Sequence, residues 1–95
     1  MKQINCNLEI KTLAGDSIPD GKDNLTVGAI VASILSTERF PNIKPLKAYA
    51  LAQRFFSSET IELDDSDLSD VLAAVEANEK WIPLVLAQVI QELKK

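Results

Sequence analysis

Apolar and polar residues alternate along the first eleven positions. Ile4, Cys6, Leu8 and Ile10 occupy one set of places, with Gln3, Asn5, Asn7, Glu9 and Lys11 between and after them. A period of two is that of a half-buried strand, one face on a core and the other in water. The next stretch, Ala14 to Asn24, is dense in turn formers: Gly15, Asp16, Ser17, Pro19, Asp20, Gly21 and Asn24. It predicts a turn at Ala14 to Asp16, a short return strand around Ser17 to Ile18, and a second turn at Asp20-Gly21.

The period then lengthens to that of a helix. Thr26 is a suitable N-cap, and Leu25 before it can pack on Ile30. A first helix is expected from about Val27 to Ser36, presenting Val27, Ile30, Val31 and Leu35. Pro41 and Pro45 bracket a connector, and Pro45 suits the first position of a second helix that runs to about Phe56. In that helix Leu46, Tyr49, Ala50 and Gln53 lie along one side, and Ala48, Leu51, Ala52, Phe55 and Phe56 along another. So wide an apolar surface predicts a helix buried on more than one side.

Thr60 to Leu63 reads as a short strand that could join the N-terminal hairpin. Asp65 or Ser66 is expected to cap a third helix, Asp67 to Ala77, with a narrow stripe of Leu68, Val71, Leu72 and Val75, ended by Asn78. Pro83 opens a last helix rich in apolar side chains from Leu84 to Leu93. The pattern predicts an α+β fold over residues 1–95 as one domain: an N-terminal β-hairpin plus one short later strand, forming a small sheet packed against about four helices.

Composition supports a packed domain. Of 95 residues, 46% are hydrophobic and 25% charged, and only five are aromatic, so the core must be mostly aliphatic. One cysteine allows neither an intrachain disulfide nor a thiolate metal cluster. The N-terminal segment lacks the continuous apolar run of a secretory signal. The longest apolar stretch, Trp81 to Ile90, is interrupted by Pro83 and Gln88. It is far shorter than the ~20 residues a membrane span needs. A reducing, cytoplasmic setting without membrane contact is the expectation.

The chemical inventory is short. The chain has no histidine, which removes His-assisted hydrolysis, His-ligated zinc and His general acid–base catalysis together. Its three glycines are too scattered for a phosphate loop or a dinucleotide fingerprint. Gly28 in the first turn of a helix could admit a ligand phosphate; the favoured reading is a close packing contact. Cys6 reads as a small core residue rather than a reactive thiol, because no cationic or helix-end neighbour is evident. In the acidic run, Asp65, Asp67, Ser69 and Glu76 match positions 1, 3, 5 and 12 of a calcium loop, but the sixth position is Asp70 where glycine is needed. These acids read as helix capping. No catalytic residue, cofactor or metal ligand is assigned.

The net charge of −4 opposes a phosphate backbone. It is unevenly spread: Arg39, Lys44, Lys47 and Arg54 lie close together, and eight acids without a base run from Glu59 to Glu79. This basic segment is the alternative site, for nucleic acid; the blander reading is two solvated faces complementary to one another. The last helix offers the better surface. It is either the central core element or shared between the core and another chain, with Trp81, Val85 and Val89 as candidate anchors.

Several pieces stand in a recognisable order: the N-terminal strand with its polar turn, Leu25-Thr26-Val27-Gly28 opening a helix, and Lys47-Ala48-Tyr49-Ala50-Leu51-Ala52-Gln53. Ile61-Glu62-Leu63-Asp64-Asp65-Ser66-Asp67 and Leu86-Ala87-Gln88-Val89-Ile90 complete it. The order resembles that of small proteins encoded by bacteriophages and prophages. The resemblance implies an accessory role in a bacterial cytoplasm and carries over no catalytic residue. The functional expectation is a non-enzymatic interaction or regulatory module, acting on a protein partner or on a second copy of itself.

Overall fold

The computed structural model describes residues 2–20, 23–37 and 43–94. The fold is α+β. In chain order it comprises β1 (Lys2–Asn5), β2 (Pro19–Asp20), β3 (Asp23–Asn24), α1 (Val27–Thr37), α2 (Pro45–Ser57), β4 (Thr60–Leu63), α3 (Asp65–Ala77) and α4 (Pro83–Lys94).

The strand pairing differs from a simple three-stranded extension of the hairpin. β1 runs antiparallel to β4, Gln3 opposite Glu62 and Ile4 opposite Ile61, and the Cys6 amide continues the ladder to the Glu59 carbonyl at 2.8 Å. β2 pairs with β3, Pro19 opposite Asn24 and Asp20 opposite Asp23, while Gly21 of the expected second turn lies outside the described residues. Lys11 meets Ser17 in an isolated bridge across the first turn. That first turn is closed by the Gly15 amide on the Thr12 carbonyl, with Gly15 at φ +93°, a conformation that glycine adopts without a Cβ clash. The reason for the split is local. The chain turns at Cys6-Asn7, which ends β1 and leaves Leu8 exposed while Ile4, Cys6 and Ile10 remain buried.

Helix starts follow their local chemistry. Thr26 Oγ1 accepts from the Ala29 amide, capping α1. Pro45 and Pro83 open α2 and α4, where the missing N–H leaves no bond unmade. α3 is capped ahead of both expected residues: Asp64 Oδ1 accepts from the Asp67 amide at 2.7 Å, so the helix begins at Asp65, two residues before the expected Asp67.

The buried apolar side chains form a cluster that draws on all four helices, β1, β4 and the segment between β1 and α1. It is aliphatic apart from Phe55 and Cys6. Gly28 is the tightest junction. Its amide donates to the Cys6 carbonyl, and a Cβ there would stand 2.5 Å from the Phe55 carbonyl oxygen and 2.9 Å from Cys6 Cβ. The favoured packing reading of Gly28 is therefore the one the fold uses. The first amides of α1 are taken as well, Val27 by the Leu8 carbonyl and Gly28 by the Cys6 carbonyl, leaving no cradle for an anion. Among the described residues no helix is long and apolar enough to cross a membrane.

Candidate functional site

The side chains singled out on the last helix turn inward. Val85 is 3% exposed and Val89 0%, both inside the core cluster, so the folded chain does not present them to a partner. The physical reason is that α4 packs against α3, α1 and β1 at once, so its stripe is used within the chain. Trp81 is half-buried against the same cluster. Its amide donates to Asn78 Oδ1 at 2.9 Å, as the Lys80 amide does at 3.1 Å, and this fixes the connection from α3 into α4.

The basic segment is dispersed. Lys47 Nζ lies 2.9 Å from Asp67 and 2.7 Å from Asp70 on α3, and the two carboxylates push its ammonium pKa well above the usual lysine value. Arg54 donates to the Glu62 carbonyl at 2.7 Å, beside β4. Lys44 is exposed at the head of α2, and Arg39 lies outside the described residues. The complementarity of basic and acidic segments within the fold thus holds for Lys47.

Cys6 is 2% exposed, its thiol 4.0 Å from the Ile4 carbonyl. Burial, reinforced by the Glu92 carboxylate and opposed by the Arg54 guanidinium, pushes the thiol up to about 11, away from a reactive thiolate. Glu9 is the opposite case. Its carboxylate accepts from Asn24, Ser17 and Lys11, and these bonds hold it down at about 2 while tying β3 and the first turn to the N-terminal segment. Among the described residues no group of carboxylates and thiol is placed to hold a metal ion.

What the fold does present is one side of α2. Leu46 is 80% exposed, Tyr49 59% and Phe56 77%. With Gln53, whose Nε2 donates to Tyr49 Oη at 3.0 Å, they form a stripe along the helix. Beside it, a groove of about 430 Å³ runs between α2 and α1. Its α1 wall consists of Ala29, Ala32, Ser33 and Ser36, and its α2 wall of Tyr49, Ala52, Gln53 and Phe56. Among the described residues no charged side chain lines it. Small residues on one helix and large ones on the next make a ridge beside a depression, the relief that receives another helix.

The sequence pattern places Leu46, Tyr49 and Gln53 on one side of α2 but predicts burial there, and it places Phe56 on the other side; the fold exposes all four. The residues were legible; their exposure was not. A width of apolar surface says nothing about how many neighbours a helix will find, and α2 finds α1 along one flank and β4 near its end. A second apolar hollow, of about 680 Å³, lies where exposed Leu13 stands over Pro83, Leu84 and Ala87 at the start of α4. Comparison of the chain with protein-family models, with curated proteins and with solved structures finds no match.

Proposed function

We propose that the chain is a non-enzymatic interaction module whose working surface is the α1–α2 face. The observation that carries this reading is the exposure of Leu46, Tyr49 and Phe56 in a row above an uncharged groove. Contiguous apolar patches of this kind mark contact surfaces, and aromatic residues at helical spacing are the usual anchors. A regulatory or accessory role in a reducing cytoplasm, as in the bacteriophage proteins that the sequence resembles, belongs to the same reading. The nucleic-acid alternative loses support, since Lys47 and Arg54 are already engaged within the chain.

A photo-crosslinking residue introduced at Gln53 and activated in intact cells tests the reading. An adduct with any protein, absent when the same residue replaces exposed Glu79 between α3 and α4, is expected. No adduct at residue 53 would remove the α1–α2 face as a contact surface.

A further inference from the structure

The stripe on α2 reads the same in both directions. From Leu46 the steps are three residues to Tyr49, four to Gln53 and three to Phe56, so the stripe is symmetric about the level of Leu51. Its chemistry is symmetric too, with a large apolar side chain at each end and two hydrogen-bonding side chains in the middle. A closed two-fold dimer requires such a patch, in which residue i meets j and j meets i. Resting on the contact-surface reading above, we propose that the occupant of this face is a second copy of the chain. Its α2 lies antiparallel across a two-fold axis at the level of Leu51. Leu46 then meets the partner's Phe56, and Tyr49 meets the partner's Gln53.

Charge points the same way. A chain of net charge −4 meets itself with least repulsion where its acids are kept out of the contact. α1 has no ionisable side chain, and the two cations in α2 are engaged elsewhere, Lys47 by Asp67 and Asp70 and Arg54 by the Glu62 carbonyl. The described residues of the groove carry no charge for a charged partner to select, whereas an equally neutral ridge and groove fits them, and the same face on another copy supplies both. The small side chains Ala29, Ala32 and Ser33 leave the space into which an opposing ridge settles.

Size sets the strength. The exposed parts of Leu46, Tyr49 and Phe56 amount to roughly 400 Å² per copy, by ordinary side-chain areas. That is half of the ~800 Å² a standard interface takes from each partner. The groove walls add to it, and the expected product is a reversible dimer with a dissociation constant on the order of 10–100 μM.

Sedimentation of the purified chain from ~1 μM to ~1 mM provides the test, since that range brackets the expected constant. A concentration-dependent shift from monomer to dimer is expected. Leu46→Lys alone and Phe56→Glu alone should each weaken it at least ~10-fold, by setting a charge against an apolar side chain. The two substitutions together set opposite charges against each other twice per dimer and should recover affinity to within a few-fold of the parent. Both positions are exposed, so the far-UV spectrum and the unfolding midpoint at low concentration should not move and will show that each variant is folded. A strict monomer at ~1 mM, indifference to both single substitutions, or a double variant no better than the singles overturns the proposal. A Gln53 crosslink to a different protein, from a chain that is monomeric when pure, overturns the second copy but leaves the contact surface standing.

Discussion

α2 and α4 are near twins in sequence and opposites in the fold. Each opens on a proline, each is rich in apolar residues, and each carries more than one apolar stripe. α4 meets α3, α1 and β1, burying Val85, Val89 and Leu93. It is also fastened by polar side chains: Glu92 accepts from the Asn5 amide at 3.0 Å, and Gln88 bonds both backbone groups of Lys11. α2 packs its Ala48, Leu51, Ala52 and Phe55 inward and leaves Leu46, Tyr49 and Phe56 uncovered. The difference is one of neighbours rather than of composition. The polar ties of α4 reach the backbone of the N-terminal segment and hold it in the middle. Those of α2, Lys47 to Asp67 and Asp70 on α3 and Arg54 to the Glu62 carbonyl on β4, lie to one side and leave a face to offer.

The junction on which both helices depend is the most sensitive point. Gly28→Ala would drive a methyl group against the Phe55 carbonyl and the Cys6 backbone, and backbone atoms cannot rotate away. The expected loss is roughly 3 kcal/mol, read as a fall in the denaturant midpoint at unchanged slope. A variant as stable as the parent would mean that α1 can move off β1, and that the α1–α2 face is not a fixed surface.

Truncating one apolar residue on each helix sharpens the comparison directly. Val89→Ala opens a cavity in the core and should cost about 2 kcal/mol. Phe56→Ala removes a larger side chain from an exposed site and should change monomer stability by less than ~0.5 kcal/mol. Equal losses would erase the distinction between the two helices.

How far this was readable in advance depends on the range of the interaction. Thr26 as a cap, Pro45 and Pro83 as helix starts, the burial of Ile4, Cys6 and Ile10, and the packing role of Gly28 all follow from neighbours in sequence, and all were legible. β1 pairing with a strand that begins at Thr60 is a long-range choice on which the local pattern is silent. The inward turn of Val85 and Val89 and the outward turn of Phe56 depend on the same kind of choice. The Lys47 contacts lie between, since opposite charge in two segments was visible and their meeting was not.

Cys6 sits where β1, α1 and α4 converge, and its protonation reports on that convergence. The folded-state pKa of about 11 lies above the ordinary thiol value of 9.0. Between those values the folded chain holds a proton that the unfolded chain has released. The corresponding stability is therefore complete below pH 9.0 and is lost as pH rises toward 11. The loss should be on the order of 1–2 kcal/mol, allowing for partial relaxation. Cys6→Ala should flatten that part of the pH profile relative to the parent, and parallel profiles would mean that the thiol is already solvated.

The smallest expected effect tests what holds α4 in place. Gln88 Oε1 accepts from the Lys11 amide at 2.9 Å and its Nε2 donates to the Lys11 carbonyl at 2.7 Å, so one side chain pairs with the strand segment as another strand would. Replacing it with Ala exposes two backbone groups that water can reach, which limits the loss to about 1 kcal/mol. The distinctive readout is local. Amide exchange at Lys11 should quicken, whereas exchange at Gly28, bonded to the Cys6 carbonyl in the interior, should keep pace only with global stability. If both amides quicken together, α4 is held by its apolar stripe alone. The contrast with α2 would then rest on the number of apolar neighbours, without help from the polar fastening.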